Sequence, residues 1–346
     1  MRGHEPAPTG EVVGVEAQGV RLEGEGLIGW DKVRRVSGPL EAQAARFAQL
    51  ADLAWRARAR LERGDLVSAE PLLEDLATRV GSEVGPTSRL VFAGLVRCRL
   101  GRGAVIAAAP AYLSWHQASG GDARYAGEAS WAVTSPTEVG LIDAGTLLAP
   151  GLPPMWVGSP ALQSLARQEW PKTGVGILYE QAARYEAGLA AILPRRVTSH
   201  RSDAERAGYD LVYAVVASRI GDEMERAAAR EELVREIDQQ PEWARAWRWA
   251  ALGRSLLRES DDEQRWRGVA ELLRVPAEVE RVVPYVTGLA MGEAASALRE
   301  LGDGMGAAQI AGEIVERFPG HPVLDWQGVR GIQRPAPAGS AKEGSS

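Results

Sequence analysis

Residues 24–29 match a cofactor-binding motif. They are Gly-Glu-Gly-Leu-Ile-Gly, which fits the G-x-G-x-x-G fingerprint of dinucleotide sites. In such a site a helix begins inside the motif, so that its first N–H groups face the pyrophosphate, and an acidic residue follows about 20 positions later. Here residues 30–39 (WDKVRRVSGP) are too short for that helix and end in a proline. We therefore interpret the motif as a hairpin turn that needs glycine, and we expect no nucleotide cofactor.

The histidines and the cysteine offer no metal-binding or nucleophilic pattern. The single cysteine, Cys98, lies in the apolar stretch LVFAGLVRCRL, so it has no disulfide partner within the chain and we expect it to be buried. The sequence contains no G-x-S-x-G, H-E-x-x-H or P-loop motif. We therefore predict no enzymatic activity, no metal and no cofactor. The histidines are far apart in the sequence, at His4, His116, His200 and His321.

Composition defines the broad class of protein. The chain has 346 residues, 45% of them hydrophobic and 25% charged, which excludes disordered, collagen-like and disulfide-stapled classes. Its net charge of −6 argues against binding to nucleic acid. No apolar run approaches the ~20 residues of a transmembrane helix, and residues 1–10 lack the apolar core of a signal peptide. We expect a cytoplasmic protein, or a periplasmic or envelope-associated one if the start is truncated.

A short β region precedes the helices. Within residues 10–38, runs of Val, Leu and Ile are separated by glycine turns, which predicts an antiparallel meander with strands at 11–16, 20–23 and 27–30. A ribbon of this size is too small to be stable alone, so it must pack against the helices or pair with another chain. We expect disorder in residues 1–9 and in the Pro-, Gly- and Ser-rich residues 331–346.

The helical part contains a recurring pattern. From residue 39 onward the apolar period becomes 3.6, in two blocks at 39–119 and 173–330. A helix, a glycine turn and a second helix with a small residue recur in both blocks. We expect Trp55 and Trp247, on first helices, to pack in the core. The turn glycines are Gly64, Gly103 and Gly302, and the small residues that follow five positions later are Ala69, Ala108 and Ala307.

At these residues the sequence resembles the tetratricopeptide repeat (TPR) family. Its helix pairs carry an aromatic residue early in the first helix, glycine at the turn, small residues where the helices cross, and a final proline. Trp247 and Pro319 fit the aromatic and proline positions. The 39-residue interval between Gly64 and Gly103 exceeds the family period, and Arg226 stands where a crossing alanine is expected. The resemblance implies a mainly α, helix-turn-helix repeat solenoid used as a binding scaffold, with bacterial, often envelope-associated proteins as analogues; a generic helical bundle is the alternative.

Residues 120–172 separate the two helical blocks. This stretch is rich in Pro and Gly, and an irregular segment of such length in a compact protein is either functional or packed by its own side chains. Trp131 and Trp156 flank its Pro-rich centre, and we expect both to anchor the insert to the helices.

The resemblance also indicates which side chains face the concave groove. Position nine of the first helix faces the groove in this family, and it is Arg58 in one repeat and Arg97 in the next. Arg245 and Arg248 occupy inward-facing positions two and five of another. Arginine binds carboxylates bidentately, so this row predicts an acidic peptide or a C-terminal carboxylate as partner. The alternative is that these arginines are solvated or stack on tryptophans, and that composition bias explains their number.

Three functional hypotheses follow. The first, which we favour, is a non-catalytic scaffold that binds a partner polypeptide in the concave groove of the helical array. The second is a carbohydrate-active enzyme on a helical toroid, which needs paired carboxylates in a Trp-lined cavity. The third is a structural component that assembles through its β segment.

Overall fold

The computed structural model describes residues 10–81, 83–120 and 141–332. Its β region is a three-stranded antiparallel sheet in the order β1 (Val12–Glu16), β2 (Gly19–Leu22) and β3 (Gly26–Ile28), which confirms the predicted meander. Gly24 and Gly26 lie at the turn into β3 with φ of +78° and +84°. The glycine motif therefore forms a hairpin turn. Of the ends predicted to be disordered, residues 1–9 and 331–346, the structure describes only Gly331 and Ile332; residues 1–9 and 333–346 lie outside the described residues.

Most of the remaining described chain is helical, and successive helices pack against each other as a repeat solenoid, as the sequence predicts. The N-terminal block contains α1 (Glu41–Ala45), α2 (Ala48–Glu62), α3 (Leu66–Val80), α4 (Pro86–Gly101) and α5 (Val105–Ala118). The insert contains α6 (Pro160–Leu165). The C-terminal block contains α7 (Gly174–Glu186), α8 (Asp203–Ile220), α9 (Glu223–Val234), α10 (Glu242–Leu256), α11 (Asp262–Glu278), α12 (Pro284–Glu300), α13 (Gly304–Arg317) and α14 (Gln327–Arg330).

The turns between paired helices share one construction. Gly64, Gly103 and Gly302 have φ of +72°, +74° and +93°, the left-handed region that favours glycine. Asp65 caps α3 by accepting a hydrogen bond from the Ser68 backbone, and Asp303 caps α13 in the same way. The small residues five positions after these glycines, Ala69, Ala108 and Ala307, are fully buried. The recurring sequence pattern thus marks equivalent turns and helix crossings.

The two helices of a C-terminal pair differ in burial. The first helices, α10 and α12, are buried along most of their length, whereas α11 and α13 bury one side. In an open solenoid the groove side of the first helix is exposed to solvent. Something else must therefore cover α10 and α12 in this protein.

The β sheet is joined to the helices by specific contacts. The buried Gln18 side chain accepts a hydrogen bond from the Ser88 backbone in the first turn of α4. Trp30 is buried and stacks on Phe47 with a centroid distance of 5.0 Å. On the edge strand β1, the Val15 carbonyl accepts a hydrogen bond from the Gln43 side chain of α1.

Among the described helices, none combines the length and hydropathy needed to span a membrane.

Candidate functional site

An irregular segment of the insert covers the first helices of the C-terminal block. We call residues 147–157 the strap, and we call the surface of α5, α7, α10 and α12 that contacts it the inner face. Side chains of the inner face donate hydrogen bonds to main-chain carbonyl oxygens of the strap. These bonds are Tyr112 Oη to Leu147 O (3.2 Å), Trp247 Nε1 to Pro150 O (2.9 Å), Tyr179 Oη to Leu152 O (2.5 Å), Tyr285 Oη to Met155 O (3.0 Å) and Arg254 Nη2 to Trp156 O (3.0 Å).

The apolar side chains of the strap are as buried as those of a protein core. Trp156 is 1% exposed, and its ring lies 5.9 Å from that of Tyr179 and 6.5 Å from that of Trp170, between centroids. The prediction that Trp156 anchors the insert is therefore confirmed, while Trp131 lies outside the described residues. The short helix α6 follows the strap, with Pro160 at its first position, where a proline is tolerated. Leu147, Leu148, Leu152 and Met155 are buried together with Trp156.

Helix α8 approaches the backbone at the start of the strap closely. A Cβ atom on Gly208 would lie 2.0 Å from the Thr146 carbonyl oxygen. The absence of a side chain at Gly208 therefore allows the insert to run directly along this helix.

A buried ion-pair cluster holds the end of the strap. Arg254 on α10 is 2% exposed. Its Nε donates to Glu293 Oε1 on α12 at 2.7 Å, and its Nη2 donates to Glu186 Oε1 on α7 at 2.9 Å. Arg219 on α8 also donates to Glu186 Oε1, at 2.9 Å. The cluster therefore joins four helices, and through Arg254 it joins them to the Trp156 carbonyl.

The electrostatics of the inner face favour a charged Glu186 and protonated tyrosines. Burial by itself would raise the pKa of Glu186, but the charges and hydrogen bonds of Arg254 and Arg219 outweigh it and lower the pKa. Burial raises the pKa values of Tyr112, Tyr179 and Tyr285 well above their usual range. These three hydroxyls therefore stay protonated at neutral pH and act as donors to the strap.

The buried carboxylates do not form a substrate site. The cavity beside them, lined by Glu186, Ser218, Arg219 and Arg254, has a volume of about 10 Å³, which leaves room for a single water molecule. Small-molecule sites measure about 300 to 1,000 Å³. Glu186 and Glu293 share the guanidinium of Arg254 rather than facing a space that a sugar could enter.

The predicted partner-binding arginines Arg58 and Arg97 bind groups in the N-terminal part of the chain. Arg58 binds Asp31 at 2.9 Å and Glu62 at 2.7 Å, and Arg97 donates to the Leu61 carbonyl at 2.8 Å. On α10, the strap contacts Trp247 and Arg254, which are two helical turns apart on one face.

Arg245 and Arg248 lie on other faces of α10. The Arg245 guanidinium lies over the Trp249 ring at 5.5 Å, and Arg248 donates to the Glu232 and Leu233 carbonyls at 2.9 and 3.1 Å. Each of the four arginines thus contacts a different set of groups in the fold.

The cysteine and the histidines do not form a chemical site in the described parts of the chain. Cys98 is buried, and burial raises the pKa of its thiol to about 11, so it is not a reactive thiolate at neutral pH. His116 is also buried, and burial lowers its pKa to about 4. Within residues 10–81, 83–120 and 141–332, no group of His, Cys, Asp and Glu could hold a metal ion.

The residues that hold the strap were not among those predicted from sequence, although one of them had a signal. Glu293 stands alone in the apolar run LAMGEAASAL of a helix, and a buried carboxylate requires a cationic partner. The tyrosines Tyr112, Tyr179 and Tyr285 resemble ordinary core aromatics in the sequence. Their role as donors becomes visible only with the path of the strap.

Comparison with protein-family models, curated proteins and solved structures gives no match to this chain.

Proposed function

We propose that this chain is a non-catalytic interaction scaffold, a divergent tetratricopeptide-like array that binds a partner polypeptide along its inner face. The observation that supports the proposal is a set of hydrogen bonds to main-chain carbonyls of one segment, the strap. The donors are Tyr112, Tyr179, Trp247, Arg254 and Tyr285. Every polypeptide carries such carbonyls, so a face that binds them recognises an extended chain by its backbone.

In the isolated chain the strap occupies this face. A segment attached in cis has an effective concentration in the millimolar range, so a partner with equal contacts does not displace it at micromolar concentration. The partner must therefore add contacts beyond those of the strap. An acidic segment of the partner would supply these additional contacts by binding arginine side chains. The arginines that the proposal assigns to this role are Arg58, Arg97, Arg245 and Arg248. The expected cytoplasmic location also stays a prediction.

The proposal is tested with a photo-reactive amino acid at one of two positions. Leu100 lies beside the strap: its Cδ1 is 3.3 Å from the position that a Cβ atom on Gly151 would take. Trp266 on α11 is 44% exposed and serves as the outer-face control. After irradiation in a lysate of cells that make the protein, mass spectrometry identifies the cross-linked polypeptide. We expect a cross-link from Leu100 and none from Trp266; cross-links from Trp266 alone, or from neither position, would contradict the proposal.

The arginines are tested by neutralisation rather than charge reversal. A glutamate at position 58 would face the buried carboxylate of Asp31 and disturb the fold. Arg97→Gln and Arg245→Gln avoid this contact. If an acidic partner binds there, the pair of substitutions weakens the Leu100 cross-link, whereas Arg267→Gln on the exposed side of α11 leaves it unchanged.

A further inference from the structure

The strap has the chemistry of a proline-rich ligand. Residues 152–156 are Leu-Pro-Pro-Met-Trp, all five are buried, and the chain bends at Pro154. Pro153 and Pro154 carry no N–H group, so the burial of these two residues leaves no backbone donor without an acceptor. The segment also carries the Trp156 indole N–H, which is buried without a hydrogen-bond partner. Its contacts with the inner face are made by carbonyl oxygens and apolar side chains.

The inner face is complementary because it presents donors to the main-chain carbonyls of this segment. The chain bends at Pro154, and the carbonyls on the two sides of the bend, those of Leu152 and Met155, accept hydrogen bonds from the hydroxyls of Tyr179 and Tyr285. Arg254 adds a third donor, to the Trp156 carbonyl. Aromatic grooves that donate to proline-rich segments form a recurrent mode of peptide recognition.

The donors come from helices that pack together without the strap. Tyr179, Arg254 and Tyr285 lie on α7, α10 and α12, which are connected through the contacts of α8 with α7 and α10 and of α10 with α12. The Arg254–Glu293 and Arg254–Glu186 ion pairs cross-link the same three helices. The donor set is therefore held in place by the helical array and not only by the segment that it binds.

We propose that the donors Tyr179, Arg254 and Tyr285 form a recognition site for proline-containing peptides of the Leu-Pro-Pro-Met-Trp type, which the strap occupies in cis. This inference rests on the proposed scaffold function and names the chemical class of its partner. A partner segment of this class exchanges with the strap and takes over its hydrogen bonds.

The test removes the strap from the chain and measures whether the same segment binds as a separate peptide. Residues 150–157 of the full chain are replaced by a Gly-Ser linker of the same length, and the probe is a fluorescently labelled synthetic peptide of residues 146–159. We expect the linker variant to bind the peptide with micromolar affinity and the wild type to bind it at least about 100-fold more weakly, because its own strap competes at millimolar effective concentration. A peptide with both Pro153 and Pro154 changed to Ala should bind at least about 10-fold more weakly.

Two further outcomes keep the test decisive. If circular dichroism shows that the linker variant is unfolded, addition of the peptide should restore its helical signal, and failure to do so would overturn the proposal. A folded linker variant that binds no peptide up to about 1 mM would overturn it as well. Tyr285→Phe in the linker variant removes one donor and should weaken binding by about 2- to 10-fold.

The failure of this inference can be told apart from the failure of the scaffold function. If no proline-containing peptide binds but a polypeptide still cross-links at Leu100, the scaffold function stands and the peptide class is wrong. If the peptide binds the linker variant but nothing cross-links at Leu100, the inner face recognises only its own strap.

Discussion

Replacement of Arg254 by methionine should be among the most destabilising single changes in the protein. Methionine keeps much of the volume but removes the bonds to Glu186, Glu293 and the Trp156 carbonyl. Glu186 keeps Arg219 as a partner, whereas the Glu293 side chain is 6% exposed and has Arg254 as its ion-pair partner. Removing one member of a buried ion pair costs about 3 to 5 kcal/mol, and we expect Arg254→Met to lower the free energy of unfolding by this amount at pH 7.

A double-mutant cycle identifies the cause of the loss. Glu293→Gln removes the charge that Arg254→Met leaves without a partner, so the double variant should lose less stability than the sum of the two single variants. The expected coupling is about 2 kcal/mol or more, within the range for groups in one ion-pair network. The measurement is urea unfolding followed by circular dichroism and tryptophan fluorescence. Arg267→Met on the exposed side of α11 is the control, with an expected change within about 0.5 kcal/mol.

The pH dependence gives a second check on the same cluster. Because Arg254 and Arg219 lower the pKa of folded Glu186 below its ordinary value of 4.5, their stabilisation is present above that pH. It is lost as the pH falls through the lower pKa of the folded state. The difference in stability between wild type and Arg254→Met should therefore shrink as the pH falls below 4.5. A loss below about 1 kcal/mol at pH 7, or strictly additive effects in the cycle, would refute the assigned role of Arg254.

Three other predictions concern the strap and its surroundings. Gly208→Ala places a Cβ 2.0 Å from the Thr146 carbonyl oxygen and should lower the free energy of unfolding by more than about 1 kcal/mol. A Cβ on Gly312, which is also in a helix, would have no atom within 4 Å, so Gly312→Ala should raise the free energy of unfolding by about 0.5 to 1 kcal/mol. Urea unfolding measures both changes. Burial lowers the pKa of His116 to about 4, so as the pH falls the unfolded chain binds a proton near pH 6.5 and the folded chain binds it only near pH 4. The free energy of unfolding should therefore decrease by about 3 kcal/mol between pH 6.5 and pH 4. His116→Gln should reduce this pH dependence, and an unchanged pH dependence would contradict the role of His116. Tyr285→Phe in the wild type leaves a strap carbonyl without its donor and should cost about 1 to 3 kcal/mol in thermal or urea unfolding, whereas no measurable change would mean that the bond does not form.

The turns and crossings of the repeats could be predicted from sequence because their causes are local. A turn that needs positive φ selects glycine, as at Gly64 and Gly302, and a close helix crossing selects alanine, as at Ala69 and Ala307. The same reasoning locates the meander and its glycine turn. Each of these features is set by residues within a few positions of one another.

The site could not be predicted because its contacts are long-range. Tyr285 and Met155 are 130 positions apart, and Arg254 and Trp156 are 98 apart, so no local spacing relates them. Family positions in a helix also do not reveal which face a strap will cover. The prediction that Trp55 packs in the core was wrong, because its side chain is 40% exposed.

The most direct test of the central claim, that the strap lies bound to the inner face, is amide hydrogen exchange of the wild-type protein by mass spectrometry. We compare the buried strap amides of Leu147 and Leu152, which donate to the Asp143 and Ala149 carbonyls, with the amides of the exposed residues Thr198 and Ser199. A bound and buried strap predicts exchange at least about 100-fold slower at Leu147 and Leu152 than at Thr198 and Ser199. Strap amides that exchange as fast as those of Thr198 and Ser199 would contradict the account.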